Sequence, residues 1–250
     1  MNSKWDYSQL AQAYLKRPDY STEAIKNMLE IMELKADDLI CDIGAGTAHL
    51  TLALAKAGYS VVSVEPNTNM RELGIQRTRE YRNVRWVSAT GEDTGQADTT
   101  FGAVTFGSSF NVLDRSAALK EFKRIALPKG WLAAMWNHRD LSDPIQSNIE
   151  NIIQSHIRNY EYGTRREDQT KFLNDSGLFS RVEKIEYDIL HEQSRKDIVE
   201  AWRSHATLQR QAGNRFSNII KDIEHYLSEM DSESIHVPYT TRIWLAQLNN

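Results

Sequence analysis

Apolar positions in the first half of the chain alternate between short runs and helical stripes. Leu39-Ile40-Cys41-Asp42-Ile43 is a short apolar run stopped by glycine, the pattern of a buried strand. From Thr47 to Ala57 the spacing is helical, with Leu50, Leu54 and Ala57 on one face and Gly58 just past the end. Ser60 to Val64 is a second β-branched run, and Asn67 to Arg79 a second helix. Asn83–Ser88 and Phe101–Phe106 read as strands three and four. Asp114 stands where it can cap a helix over Arg115–Ala126, which Pro128-Lys129-Gly130 stops before a fifth strand, Trp131–Trp136. Two turn-bounded helical stretches, about 8–15 and 21–33, open the chain on either side of Arg17-Pro18-Asp19-Tyr20.

Five strands alternating with helices predict an α/β fold built on a doubly wound, mostly parallel sheet. The pattern then changes. Residues 143–176 and 195–230 are polar and helical, while Arg181–Leu190 and Val237–Ala246 read as strands, which makes the sheet seven-stranded. The two helical segments flank the late strands, where a cap over a ligand belongs. The expected organisation is a single domain over 1–250: N-terminal helices over 1–36, a binding core over 37–140, and helical cap inserts over 143–176 and 195–230.

Composition alters this picture little. With 40% hydrophobic and 26% charged residues the chain is neither disordered nor fibrous. A net charge of −4 offers no global basic field to nucleic acid. The lone cysteine, Cys41, lies within an apolar run and reads as a small core residue. The start lacks the apolar core of a signal peptide, and no apolar run approaches the roughly 20 residues that span a bilayer. The expectation is a soluble, cytoplasmic protein with no membrane or nucleic-acid partner; oligomeric state is not legible.

The chemistry sits in Asp42-Ile43-Gly44-Ala45-Gly46-Thr47-Ala48-His49, which leaves strand one and opens a helix. Glycines at 44 and 46 permit a tight turn and close approach of a ligand to the backbone. Ligands of open α/β sheets sit outside the carboxyl ends of the strands, where strand order reverses. Glu65 ends strand two, 23 residues after Asp42, where a carboxylate can accept from both hydroxyls of a ribose. A dinucleotide-binding oxidoreductase is the rival, but its fingerprint needs a third glycine where His49 stands. No Walker loop, no G-x-S-x-G nucleophile elbow and no Cys/His/Asp cluster with metal-ligand spacing occurs, so no metal is expected.

As a set these residues resemble class I methyltransferases that use S-adenosylmethionine (SAM), and within them the type 11-like, trans-aconitate-type small-molecule subgroup. Asp42 to Thr47 is similar to motif I, and Val64-Glu65-Pro66-Asn67-Thr68-Asn69-Met70 to the second motif. There the resemblance implies that the acid binds the ribose and the methionine packs near the adenine. Ala89-Thr90-Gly91-Glu92 is similar to the G-x-A-E segment at the adenine edge, and Leu127-Pro128-Lys129-Gly130-Trp131-Leu132 to the turn into strand five. Trp136-Asn137-His138-Arg139-Asp140 resembles the subgroup's W-N-x-R-D, and Tyr14, Arg17, Pro18 and Tyr20 resemble its Y-x-x-x-R-P-x-Y with one residue fewer between tyrosine and arginine. Two departures matter: Gly91 replaces the alanine of G-x-A-E, and Asn111-Val112 replaces a His-Trp pair before Asp114.

The resemblance implies SAM as cofactor, leaving as S-adenosylhomocysteine, and a Rossmann-like fold. The expected cofactor residues are Tyr14, Arg17, Asp42, Gly44, Ala45, Gly46, Glu65, Pro66, Met70, Gly91, Glu92 and Ser108. Arg17 would pair with the SAM carboxylate; Asp42 is left open between the methionine ammonium and an ordering role in the glycine turn. His138, just past strand five, is the candidate general base, since an imidazole titrates near neutral pH. Tyr20, Asn111, Trp136, Arg139 and His205 are the candidate acceptor contacts. Trp5, Tyr7 and Trp202 join Tyr14, Tyr20 and Trp136 as aromatics able to face a sulfonium. Arg139 is open between an anionic acceptor group and an ion pair with Asp140. The expected reaction is methyl transfer to an oxygen, nitrogen or carbon of a small molecule. The alternatives are a non-catalytic SAM-binding regulatory module and an RNA or protein methyltransferase. Against RNA stand the acidic balance and Gly107-Ser108-Ser109-Phe110 in place of an N-P-P-Y-type tetrapeptide.

Overall fold

In the computed structural model, residues 10–35 and 37–249 are described; the candidate aromatics Trp5 and Tyr7 lie outside them. Strands β1 (Leu39–Ile43), β2 (Ser60–Val64), β3 (Val84–Val87) and β4 (Phe101–Gly107) alternate with helices α3 (His49–Lys56), α4 (Thr68–Thr78) and α5 (Arg115–Ile125). The chain opens with α1 (Ala11–Tyr14) and α2 (Thr22–Met32). Strand β5 (Ala126–Arg139) is followed by α6 (Pro144–His156), α7 (Thr170–Asp175) and β6 (Phe179–Ser194). Then come α8 (Arg195–Arg203), α9 (Ala206–Ala212), α10 (Phe216–Ser228) and β7 (Ser234–Leu248).

The seven strands form one sheet in the order β3-β2-β1-β4-β5-β7-β6. The pairs β1–β2, β1–β4, β2–β3 and β4–β5 are all parallel. Strand order therefore reverses between β1 and β4, as a doubly wound sheet requires, and the ligand crevice belongs at their carboxyl ends.

Helix starts follow the local chemistry. Asn67 caps α4 by accepting from Met70 N, and Asp114 caps α5 by accepting from Ala117 N, so both side chains satisfy donors the helix leaves open. Asp143 caps α6 in the same way, with Pro144 in the first turn. The largest departure from the sequence pattern is β5, which begins at Ala126 rather than Trp131. Ala126 is extended, pairs with Phe101, and ends α5 one residue early; the register then shifts before Ala103 meets Trp131. Leu127-Pro128-Lys129-Gly130 is thus an irregularity inside the strand, with Lys129 at φ +61, rather than a turn before it.

Contacts divide the chain into two compact units. Unit 2 comprises residues 19–137, 164–187 and 241–250. Its strands are apolar on both faces, as parallel strands covered by helices must be. Cys41, Ile43, Val62, Val64, Leu132 and Ala134 pack with α5; the alternating Ile40, Val61, Ala103, Ala133 and Met135 pack with α2 and α3. Unit 1 comprises, of the described residues, 10–18, 138–163 and 188–240 and has its own apolar cluster from α6, α8 and α10, around Ile149, Ile153, Trp202 and Ile223. The 143–176 segment, read as one cap insert, is divided: α6 falls in unit 1 and α7 in unit 2. No helix among the described residues is long and apolar enough to cross a membrane.

Candidate functional site

In unit 2 the turn from β1 to α3 is built around Gly44 (φ +68) and Gly46 (φ +56). Gly44 is required twice over: its φ is left-handed, and a Cβ there would stand 2.4 Å from Ser109 Cβ. Gly44 N and Ala45 N both donate to Val64 O, which ties the turn to the end of β2. Glu65 follows directly, only 7% exposed. Its Oε2 accepts from Gly46 N at 2.9 Å and its Oε1 from Asn67 N at 2.8 Å. Burial raises the Glu65 pKa, and those two backbone donors act against the rise. A carboxylate has about four acceptor sites, so two remain for a ligand. Met70 is buried in the first turn of α4, its methyl 3.5 Å from where a Gly46 Cβ would stand, whereas Pro66 is exposed.

Asp42 is fully buried. Its Oδ2 accepts from Thr51 Oγ1 at 2.7 Å and its Oδ1 from Thr105 Oγ1 at 3.0 Å. Burial pushes its pKa up to about 6, against the lowering effect of the two threonine hydroxyls. These bonds tie the end of β1 to α3 and to β4. Thr105 was missed, yet a signal existed: it is the one hydroxyl in an otherwise apolar strand, and β4 places it in register with Asp42. Ser109 was missed too; its Oγ donates to Ile43 O and holds the post-β4 loop against the turn.

The rim is held by pairs from different strand ends. Ser108 is left-handed at φ +59, and its Oγ lies 3.0 Å from Tyr20 Oη. Trp136 is fully buried and its Nε1 donates to Asn111 Oδ1 at 2.9 Å, so these two candidate acceptor contacts bind each other. Glu92 Oε1 accepts from Asp114 N at 2.9 Å, joining the post-β3 loop to the start of α5. His49, placed by the sequence in the first turn of its helix, pairs with Asp19 at 2.7 Å and lowers that carboxyl's pKa. Thr47 Oγ1, at the mouth of α3, is buried with no hydrogen-bond partner among the described residues.

The structure also explains the glycine that departs from G-x-A-E. A Cβ at Gly91 would lie 2.7 Å from both Ile43 Cγ2 and Leu113 Cδ1. Gly91→Ala is therefore expected to destabilise by about 1–3 kcal/mol, the usual cost of overpacking. The cost should fall when Leu113→Ala is made in the same chain. Thermal melts of the wild type, both single variants and the double variant check this; strictly additive costs would mean that the Leu113 contact carries none of the strain.

In unit 1 the remaining candidates gather around Trp202. Arg17 Nε and Nη2 donate to Ser204 Oγ and Ser204 O, each at 2.8 Å, with the guanidinium 4.0 Å over the Tyr14 ring. The arginine assigned to a SAM carboxylate thus has a protein partner 187 residues away. Arg139 lies 4.1 Å over the Trp202 ring and 5.5 Å from that of Tyr239. Asp140 is exposed, and its Oδ1 accepts from Ser142 N and Oγ, which accounts for it without the ion pair weighed from the sequence. His205 is 2% exposed and stacks on Trp202 at 5.3 Å; His138, on β5, is 3% exposed. Tyr162 Oη donates to the buried Glu150, and burial, with that carboxylate beside it, pushes the phenol's pKa up. Neither residue was singled out from the sequence, because only folding places them side by side. Among the described residues no group of three or more His, Cys, Asp or Glu could hold a metal ion.

Comparison with known proteins agrees with this geometry. Residues 41–134 match the family model described as a methyltransferase domain. An uncharacterized methyltransferase of Mycobacterium bovis is 32% identical over 124 residues, 50% of this chain and 48% of its own. A demethylmenaquinone methyltransferase of Staphylococcus saprophyticus is 32% identical over 114 residues, 44% of this chain and 49% of its own. The chain thus spans about half the length of the curated relatives it matches. Among solved structures, a candidate type II methyltransferase of Anaeromyxobacter dehalogenans superposes with a TM-score of 0.62 at 16% identity, over 94% of this chain and 99% of that one. A phosphoethanolamine N-methyltransferase of Haemonchus contortus, solved with S-adenosylhomocysteine, gives 0.57 at 14% identity, over 97% of this chain and 58% of that one. Residues 41–134 are thus similar to a methyltransferase domain, and the chain shares the fold of the solved methyltransferases it superposes on.

Proposed function

We propose that this protein transfers a methyl group from SAM to an oxygen, nitrogen or carbon of a small-molecule acceptor. The observation that carries the reading is Glu65: a buried carboxylate, fixed by two backbone donors at the end of β2, with acceptor sites to spare beside a glycine turn. The site fits the cofactor on its own terms. At Gly46 a Cβ would meet nothing nearer than the Met70 methyl at 3.5 Å, and the next residue, Thr47, carries an orphaned buried hydroxyl. When bound, SAM supplies an electrophilic methyl group on its sulfonium.

The chain's own residues do the holding. Glu65 would accept from the ribose hydroxyls, Met70 would pack against the adenosine, and Gly91 and Glu92 would border the adenine. Ala45 and Gly46 bring backbone close to the ligand, and Asp42 and Ser109 fix that backbone. Ser108, with Tyr20 against it, would close the post-β4 side. Alignment of an acceptor with the methyl group supplies much of the rate of such transfers, up to about 7–11 kcal/mol. A general base is then needed only for an acceptor protonated at neutral pH, and His138 is our candidate. The names of the relatives, demethylmenaquinone and phosphoethanolamine methyltransferases, support a small acceptor.

Calorimetry should show micromolar-class binding of S-adenosylhomocysteine and no comparable binding of NAD or NADP. Tight dinucleotide binding without affinity for S-adenosylhomocysteine would overturn the reading.

A further inference from the structure

The buried face of α6 carries an amide with no partner. Gln146 is 1% exposed, and among the described residues neither its Oε1 nor its Nε2 meets a hydrogen-bond partner. Glu150 stands one turn further along the same helix face. Glu150 accepts from Tyr162 Oη; the Tyr162 ring meets His205 edge-on at 6.1 Å, and His205 stacks on Trp202. Trp202 is also 1% exposed, and its indole Nε1–H likewise has no partner among the described residues. Every member belongs to unit 1.

Buried polar groups are nearly always paired, because each unmet donor or acceptor forfeits the water it gave up. Leucine or methionine at 146 and phenylalanine at 202 would fill the same space without that loss. The Gln146 face of α6 packs in one cluster with Trp202, through Ile149 and Ile153, and two orphaned side chains in that cluster point to a molecule that pairs with both. The chemistry of the donors defines it. A glutamine amide offers a carbonyl and an N–H side by side, and its complement is an N–H beside a C=O. The indole N–H requires a further acceptor atom. Flat rings (Trp202, His205 and Tyr162) suit a flat ligand, since ring faces and edges pack best against another ring.

We propose that Gln146 and Trp202 read the acceptor of this enzyme, and that the acceptor is a small planar molecule with a lactam or cyclic-imide edge. The edge pairs with the Gln146 amide, and a second oxygen or nitrogen accepts from Trp202 Nε1. The proposal rests on the methyltransferase reading only in naming the ligand an acceptor; the binding site stands without it.

Ligand-observed NMR on the full chain, with 2-pyridone, uracil and hydantoin as probes, tests it. N-methyl-2-pyridone and cyclopentanone, which lack the N–H, are the controls, and calorimetry with S-adenosylhomocysteine is run alongside. The three lactams should bind at least tenfold more tightly than the controls. Gln146→Leu should weaken them at least tenfold, Trp202→Phe should weaken uracil and hydantoin severalfold, and neither should change affinity for S-adenosylhomocysteine. Gln146→Leu should also melt no lower than the wild type, because it removes an amide that has no partner among the described residues. Lactams binding no better than the controls would overturn the proposal, and that comparison needs no variant. Unchanged lactam binding by Gln146→Leu, or a large drop in its melting temperature, would overturn it too, by showing the amide satisfied within the protein. Lactam binding without any affinity for S-adenosylhomocysteine would leave this site standing and remove the methyltransferase reading.

Discussion

Glu65→Ala is expected to weaken binding of S-adenosylhomocysteine by about tenfold or more. The side chain would offer two charge-assisted hydrogen bonds to the ribose, each worth roughly 1.5–3 kcal/mol. Water replaces part of that loss in the variant, and 1.4 kcal/mol already corresponds to tenfold. A second effect adds to the first. Glu65 also holds Gly46 N and Asn67 N, so its removal loosens the glycine turn and the cap residue of α4 together. The two effects separate with a 2′-deoxyribose analogue of S-adenosylhomocysteine. The wild type should lose affinity for the analogue, while Glu65→Ala should bind both ligands alike, having no carboxylate left to notice the hydroxyl. Circular dichroism establishes that the variant is folded. Calorimetry giving the wild-type dissociation constant in a folded Glu65→Ala protein would place Glu65 away from the ribose.

Glu65 is a residue the sequence exposes well, and the reasons are physical. A carboxylate ending a β-branched run, 23 residues after the aspartate of a glycine turn, is unusual enough to read directly. The same holds for Gly44, whose need for a left-handed φ shows in the residue type. Strands β1, β2 and β4 were legible because parallel strands buried on both faces are continuous apolar runs bounded by turn residues. β5 was harder. Pro128 and Gly130 are turn formers, and nothing local shows that Ala126 is already paired with Phe101 on the far side of the irregularity. The polar residues of unit 1 were harder still. Arg17 meets Ser204 across 187 residues, and Gln146 looks like one more polar residue on an amphipathic helix until its burial is seen. Periodicity reports which face of an element is buried. It does not report which polar residue that face retains.

Asp42 is the polar residue whose retention has the clearest consequence for stability. Its ordinary carboxyl pKa is 3.8, and burial raises it to about 6 in the folded protein. The folded state therefore holds this proton more tightly than the unfolded chain does. Below about pH 4 the carboxyl is protonated in both states and its contribution to stability is fully present. As pH rises from about 4 through 6, the unfolded chain releases the proton first, and that contribution is lost. A difference of about two pKa units corresponds to a free energy on the order of 3 kcal/mol. The amide introduced by Asp42→Asn does not titrate, so that variant lacks this loss. Urea unfolding of both proteins at pH 4, 5, 6 and 7 should show the stability of Asp42→Asn rising relative to wild type by on the order of 3 kcal/mol across the series. Any constant offset from repairing the bonds to Thr51 and Thr105 cancels in that comparison. A difference that stays flat with pH would mean that the threonine hydroxyls offset the effect of burial and the carboxyl's pKa is not raised. The same variant settles the two roles read from the sequence. At pH 7, an ordering role predicts affinity for S-adenosylhomocysteine within a few-fold of wild type, because asparagine can keep the threonine bonds. A contact with the methionine ammonium predicts a loss of tenfold or more, since a neutral amide replaces the charge that such an ammonium pairs with.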